Sequence, residues 1–117
     1  MTKQLSDCLH RYDVPKFERS WGNIRRGIEK ENLRVSSNGQ LSSTPHPVAL
    51  GSALTNPLIT TDFSEALLEL ITPVSNSITE CLQVLENIHR FTSQNINGNE
   101  MLWATSMPCP LKNREEI

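Results

Sequence analysis

Apolar residues flank a charged run between Ile24 and Val35, and this segment is predicted to form a β-strand. Successive side chains of a strand point to opposite faces, so Glu29 and Glu31 would share one face, about 6.6 Å apart. Two carboxylates at this spacing repel each other, and a divalent cation held between them would offset the repulsion. The alternative is a solvated strand face, with Lys30 and Arg34 balancing the negative charge from nearby.

A turn is predicted directly after this strand, in the run Ser37-Asn38-Gly39-Gln40. Asn-Gly supplies the positive backbone angles that two-residue hairpins require, so a second short strand over about 40–43 would pair back antiparallel. Two prolines then remove backbone donors, and a loop is expected as far as about Pro57. His46 lies in this loop and is expected to be solvated rather than a ligand.

The segment from Leu58 to Val74 is rich in threonine and isoleucine and favours a strand. If this strand is regular, one of its faces carries the side chains of Ala66, Leu68 and Leu70. Glu69 would then lie on the other side, between two apolar neighbours. A carboxylate in such surroundings is paired with a cation, coordinates a metal or does not belong to a strand, because burying a free charge costs several kcal/mol. A helix over Ser64–Ile71 is the competing interpretation, and the periodicity does not decide between them.

Two helices are predicted. The clearer one runs from Ser77 to about Asn97, begins with a capping box formed by Ser77 and Glu80, and ends before a left-handed cap at Gly98. A shorter amphipathic helix is expected at Leu5–Tyr12. The long helix carries an apolar stripe that is expected to pack against the sheet, made of Ile78, Cys81, Leu82, Leu85 and Ile88.

Length and composition restrict the class of protein further. The 117 residues amount to one domain's worth of chain, and a net charge of -2, from 11 basic and 13 acidic residues, favours neither nucleic acid nor an anionic membrane as a partner. The three cysteines are far apart and form no C-x-x-C motif, which predicts reduced thiols rather than disulfides or a zinc site. Neither a signal peptide nor a membrane span is recognisable, so a cytoplasmic location is expected.

Several motifs go beyond periodicity and occur in a fixed order. They are Arg26-Gly27-Ile28-Glu29-Lys30-Glu31-Asn32-Leu33-Arg34-Val35, Thr44-Pro45-His46-Pro47, Leu50-Gly51-Ser52-Ala53-Leu54-Thr55, Ile59-Thr60-Thr61-Asp62-Phe63-Ser64-Glu65-Ala66-Leu67-Leu68-Glu69, Ile71-Thr72-Pro73-Val74, Met101-Leu102-Trp103 and Ser106-Met107-Pro108-Cys109. Together they resemble the amino-terminal portion of bacterial glutamate-cysteine ligase of the gamma-proteobacterial type.

This resemblance implies an ATP-dependent carboxylate-amine ligase that makes γ-glutamylcysteine from L-glutamate and L-cysteine through a γ-glutamyl phosphate, the first step of glutathione biosynthesis. It implies Mg²⁺, or Mn²⁺ in its place, held by acidic residues whose counterparts here are Glu29, Glu31, Asp62 and Glu69. Phe63 matches a position that lines the pocket for the cysteine substrate. The implied fold is α+β, part of an antiparallel sheet like that of glutamine synthetase, with packed helices.

Members of the family that this chain resembles are several times longer than it. Residues 1–117 are therefore expected to be one partial segment of the ligase catalytic domain, inactive alone, with the nucleotide and glutamate contacts beyond Ile117. No G-x-x-x-x-G-K-[ST] phosphate loop is present. An incomplete sheet would favour self-association through its exposed edge. The alternatives are a non-catalytic remnant or small interaction module, and a related ligase with another amine acceptor.

Overall fold

The chain folds as an antiparallel sheet with a long helix packed on one of its faces. A computed structural model describes residues 23–113. The described strands are β1 (Glu29–Ser36), β2 (Ile59–Thr61), β3 (Leu67–Ile71) and β4 (Glu100–Leu102), and the helices are a 3₁₀ turn at Val48–Leu50 and α1 (Ile78–Asn95). The four strands lie in the order β2-β3-β1-β4. The expected α+β class is confirmed, and the helix expected at Leu5–Tyr12 lies outside the described residues.

The register of the strands separates two faces of the sheet. Glu31 of β1 pairs with Glu69 of β3, and Thr60 of β2 pairs with the same Glu69. The alternate residues of these strands face the other way, where Leu70 pairs with Lys30 and α1 covers the sheet. The buried cluster between this face and the helix consists of Leu50, Ile59, Leu68, Leu70, Ile88 and Ile96.

The segment 58–74 forms two strands rather than one. The strand assignment is correct for Leu67–Ile71, where Leu68 and Leu70 are fully buried, and the competing helix is wrong. A turn between β2 and β3 interrupts the expected single strand, and within it the amide of Leu67 donates to the carbonyl of Ser64 at 3.0 Å. Neither Gly nor Pro marks this turn, so its position was not visible in the residue pattern.

The predicted hairpin after β1 is shorter than expected. Gly39 has a φ of 81°, but Asn38 does not adopt a positive φ, so Asn-Gly does not form the expected two-residue turn. The expected strand over 40–43 is reduced to a single bridge between Leu41 and Val35. The same edge of β1 is already taken as far as Arg34, whose amide donates to the carbonyl of Ala66 at 2.7 Å, and little edge remains for the returning chain.

The loop histidine also differs from its expected state. Both ring nitrogens of His46 are buried, and neither has a hydrogen-bond partner within residues 23–113. The expectation of a solvated imidazole is therefore wrong.

Helix α1 matches its prediction in position and differs at both ends. The hydroxyl of Ser77 accepts from the amide of Glu80 at 3.2 Å, but the carboxylate of Glu80 accepts from the hydroxyl of Ser75 at 2.6 Å instead of returning to Ser77. The helix ends at an extended Ile96, and Gly98 is not left-handed, so the predicted glycine cap is wrong. In the stripe Cys81 and Ile88 are buried, while Ile78 and Leu82 are 61% and 52% exposed.

None of the helices in the described part of the chain has the length and apolar character needed to cross a lipid bilayer.

Candidate metal site on the open face of the sheet

Four carboxylates approach one another on the face of the sheet opposite α1. Glu29 and Glu31 lie two residues apart on β1 and therefore share this face. Glu69 of β3 lies directly opposite Glu31, so the two side chains project side by side. Asp62 follows β2 directly, two residues after Thr60, the β2 residue that pairs with Glu69. The other three acidic residues that the resemblance singled out thus lie near enough for their charges to act on Glu69, although no three of the four form a group that could hold a metal as the side chains are arranged.

The ion pairs seen between described side chains do not include the acids of this face. Within residues 23–113 the ion pairs are Arg34 with Glu100 and Arg90 with Glu86, and neither includes any of the four acids. Lys30 and Arg34 occupy the alternate positions of β1 and face the side that α1 covers. Arg34 therefore does not balance the strand acids, because its charge is paired with Glu100, whereas the exposed positions of Glu29 and Glu31 leave a solvated strand face as the alternative to a metal site.

The charges on this face act most strongly on Glu69. Its partial desolvation raises the pKa of the Glu69 carboxyl above the ordinary value, and the negative charges of Glu29, Asp62 and Glu31 raise that pKa further. The charges of three acids from two other chain segments therefore act on Glu69. This mutual repulsion is the physical condition under which a bound cation lowers the free energy of the folded chain.

The donor set fits a hard divalent cation in chemistry. Carboxylate oxygens are the ligands that Mg²⁺ and Mn²⁺ select, and thiolate or imidazole ligands are not required. As the side chains are arranged, no group of three or more His, Cys, Asp or Glu residues in the described segment forms a ready-made metal cage. Mg²⁺ itself keeps several waters and commonly takes only one or two carboxylates together with substrate phosphates, so a complete protein cage is not what its chemistry demands.

Aromatic and apolar side chains border the acids. Phe63 follows Asp62 in the connection between β2 and β3 and is 77% exposed. On the other side a hollow next to Glu31 is lined by Trp103 and Met107, and the indole Nε1 of Trp103 donates to the carbonyl of Met107 at 2.6 Å. Thr60 of β2 lies opposite Glu69, a position that only the pairing of β2 with β3 reveals.

A second charged group lies on the opposite side of the sheet. The guanidinium of Arg34 is fully buried and pairs at 2.8 Å with the carboxylate of Glu100, which is 2% exposed. That carboxylate also accepts from the hydroxyls of Ser42 at 2.5 Å and Thr44 at 2.6 Å. The residue pattern does not predict this pair, because Arg34 and Glu100 are far apart in the sequence and meet only through the pairing of β1 with β4.

The buried pair predicts how stability depends on pH. Burial alone would raise the pKa of Glu100, but hydrogen bonds from Ser42, Thr44 and Arg34, together with the charge of Arg34, lower it below its ordinary value. A carboxyl whose pKa is lower in the folded than in the unfolded state stabilises the fold above the unfolded-state pKa, and this contribution is lost as the pH falls through the folded-state pKa.

We therefore expect the difference in unfolding free energy between the wild type and Glu100→Gln to be largest near pH 7 and to shrink towards acid pH. Urea unfolding at a series of pH values measures it. A difference that stays constant from neutral to acid pH would contradict the assignment.

Comparison with known proteins identifies the family. The family model described as glutamate-cysteine ligase matches residues 10–117. The glutamate-cysteine ligase of Alcanivorax borkumensis is 54% identical over 115 residues, covering 98% of this chain and 22% of that protein. The crystal structure of the Francisella tularensis ligase in complex with AMP aligns with a TM-score of 0.76 at 45% identity, covering 80% of this chain and 18% of that one.

A bifunctional glutathione synthetase from Pasteurella multocida also aligns, with a TM-score of 0.76 at 35% identity over 86% of this chain and 14% of that one. The chain thus spans about a fifth of the length of the curated relatives that it matches. Because the family model covers nearly all of these residues, the chain belongs to the glutamate-cysteine ligase family.

Proposed function

We propose that this chain is the metal-binding segment of a glutamate-cysteine ligase, and that residues 1–117 are one part of the catalytic domain. The metal ligands in this proposal are Glu29, Glu31, Asp62 and Glu69, and the ion is Mg²⁺ or Mn²⁺. The single observation that carries it is the convergence of four carboxylates from three chain segments on the open face of the sheet, with Glu69 perturbed by the other three.

The sheet itself performs the positioning. The pairing of β1 with β3 fixes Glu31 and Glu69 side by side, and the alternation along β1 adds Glu29 to the same face. The hairpin between β2 and β3 returns Asp62 to this cluster. When bound, a divalent cation neutralises the charge that phosphate oxygens and a carboxylate accumulate when they are brought together.

In this proposal the complete enzyme joins two amino acids at the expense of ATP. The γ-carboxylate of L-glutamate takes the terminal phosphoryl group of ATP, and ADP leaves. The amine of L-cysteine then attacks the carbonyl carbon of the acyl phosphate, inorganic phosphate leaves, and the nitrogen loses a proton. The product, γ-glutamylcysteine, is the first intermediate of glutathione biosynthesis. The AMP bound to the Francisella tularensis ligase supports an adenine nucleotide as co-substrate.

Phe63 is proposed to form one wall of the cysteine pocket. Its ring is 77% exposed and adjoins Asp62, so an apolar surface stands directly beside the proposed metal site. Residues outside this chain complete the pocket and supply the nucleotide and glutamate contacts. The isolated chain is accordingly expected to bind metal without catalysing the reaction.

A cytoplasmic location belongs to the same proposal. Cys81 and Cys109, the cysteines within the described residues, are buried free thiols, which supports a reducing compartment.

Titration of the chain with Mn²⁺ by isothermal calorimetry tests the metal site. We expect a binding heat for the wild type and an affinity lower by about tenfold or more in Glu69→Gln and in Glu31→Gln, because each removes one charged oxygen ligand. Glu86→Gln is the matched control, since Glu86 is an exposed residue of α1 that pairs with Arg90 on the other side of the sheet.

An absence of binding heat in the wild type would refute the metal site. Equal losses of affinity in Glu69→Gln and Glu86→Gln would also refute it, because they would show that affinity depends on the net charge of the chain rather than on these ligands.

A further inference from the structure

We infer that Arg34 is a positioning residue, which holds the connection between β2 and β3, and with it Asp62 and Phe63, from the reverse side of the sheet. Its effect on metal binding rests on the function proposed above, whereas its effect on the connection does not.

The contacts of the guanidinium carry this inference. Nη2 of Arg34 donates to the carbonyl of Glu65 at 2.9 Å and to the carbonyl of Thr44 at 2.7 Å. The backbone amide of Arg34 donates at 2.7 Å to the carbonyl of Ala66, the residue that follows Glu65. One arginine thus holds two consecutive carbonyls in the connection that begins with Asp62. Phe63 lies two residues before the first of them.

The guanidinium is itself held rigidly. Nη1 donates to the carboxylate of Glu100 and to the hydroxyl of Thr44, both at 2.8 Å. The same hydroxyl also accepts from the side-chain Nδ2 of Asn97 at 2.9 Å. Arg34 therefore joins β1, the segment after the β1 turn, the β2–β3 connection and β4. A fully buried planar group with these partners has one orientation, so the carbonyl it binds is fixed as well.

The connection needs such support because little else holds it. Its turn is closed by the bond from the Leu67 amide to the Ser64 carbonyl, while Asp62, Phe63 and Glu65 are exposed. On the acid face, repulsion between Asp62 and Glu69 acts to move the connection away from β3. An anchor on the reverse side restrains the backbone without placing a positive charge beside the proposed metal ligands, where it would compete with the cation.

The matched pair Arg34→Lys and Glu100→Gln tests this role. Both substitutions alter the same ion pair, but only Arg34→Lys removes the planar fork that reaches Glu65 and Thr44 together. Amide hydrogen exchange of the two proteins is compared with wild type at Leu67, in the connection. Ile71, at the other end of β3, is the internal reference, and its amide donates to the carbonyl of Leu58 at 2.9 Å.

We expect exchange at Leu67 to be about tenfold faster in Arg34→Lys and unchanged in Glu100→Gln, with Ile71 similar in all three after correction for global stability. If the ion pair only stabilised the fold as a whole, the exchange rates of the Leu67 and Ile71 amides would instead change together in both variants. Leu67 exchange in Arg34→Lys that equals wild type would overturn the inference.

The double variant Arg34→Met/Glu100→Met provides the same readout without a buried charge, should Arg34→Lys fail to fold. Calorimetry with Mn²⁺ then links the anchor to the site, where we expect affinity to fall by about tenfold in Arg34→Lys and to be retained in Glu100→Gln. If the wild type binds no Mn²⁺ the proposed metal site fails, and the Leu67 comparison still decides the role of Arg34.

Discussion

A chimeric ligase in which residues 1–117 of this chain replace the matching segment of the Alcanivorax borkumensis enzyme should form γ-glutamylcysteine, and Glu69→Gln in that chimera should lower kcat by about 10²-fold or more. The exchanged segments are 54% identical over 115 residues, so the sheet and its acids should be retained. If Glu69 holds the cation as proposed, its loss would remove one charged ligand from the site, and single electrostatic contacts of this kind contribute about 10²- to 10³-fold.

Release of ADP and of inorganic phosphate, measured with ATP, glutamate and cysteine, gives the activity. The chimera carrying Glu86→Gln is the control and should keep the rate of the parent chimera. Replacing cysteine by another amine separates a glutamate-cysteine ligase from a related ligase with a different acceptor. A parent chimera that folds and binds Mn²⁺ but releases no phosphate would contradict the catalytic assignment and favour a non-catalytic segment.

Arg34→Met is expected to destabilise the chain by about 3–5 kcal/mol, because it leaves the carboxylate of Glu100 buried without its cation. The hydroxyls of Ser42 and Thr44 still donate to that carboxylate, but they cannot compensate its charge. The double variant Arg34→Met/Glu100→Met should recover most of the loss, since hydrophobic replacement of a whole buried pair is often neutral.

Urea unfolding followed by circular dichroism measures both variants. A double variant as unstable as Arg34→Met would show that the loss comes from packing rather than from an uncompensated charge. A small effect of Arg34→Met alone would show that the carboxylate reaches solvent or takes up a proton without cost.

The residue pattern predicted those parts of the fold that depend on local order. The strand predicted over 24–35 is confirmed from Glu29 onward and is wrong for the residues before it, whereas the strand at Leu67–Ile71 and the cap at Ser77 are confirmed. The three-residue strand β4 was missed because it is defined by its partner on β1 rather than by its own sequence. The pairing of Leu41 was overestimated, since the pattern does not reveal that β3 already occupies that edge.

The candidate site was only partly accessible to the same reasoning. Glu29 and Glu31 were conspicuous because a strand places both carboxylates on one face, and Glu69 because it lies between apolar neighbours, whereas Asp62 was identified by family resemblance alone. Its closeness to Glu69 depends on a turn that no Gly or Pro marks. The assignment of these four residues as metal ligands, and of Phe63 to a substrate pocket, stays a prediction.

The alternation of β1 also limits which length changes a gene for this protein can tolerate. One codon inserted between Glu29 and Glu31 would turn the carboxylate of Glu29 to the face of the sheet that α1 covers, whereas two inserted codons would keep both acids on the open face. Insertions and deletions among natural homologues should therefore avoid Glu29–Leu33 and accumulate in the irregular stretch that includes the exposed Leu54.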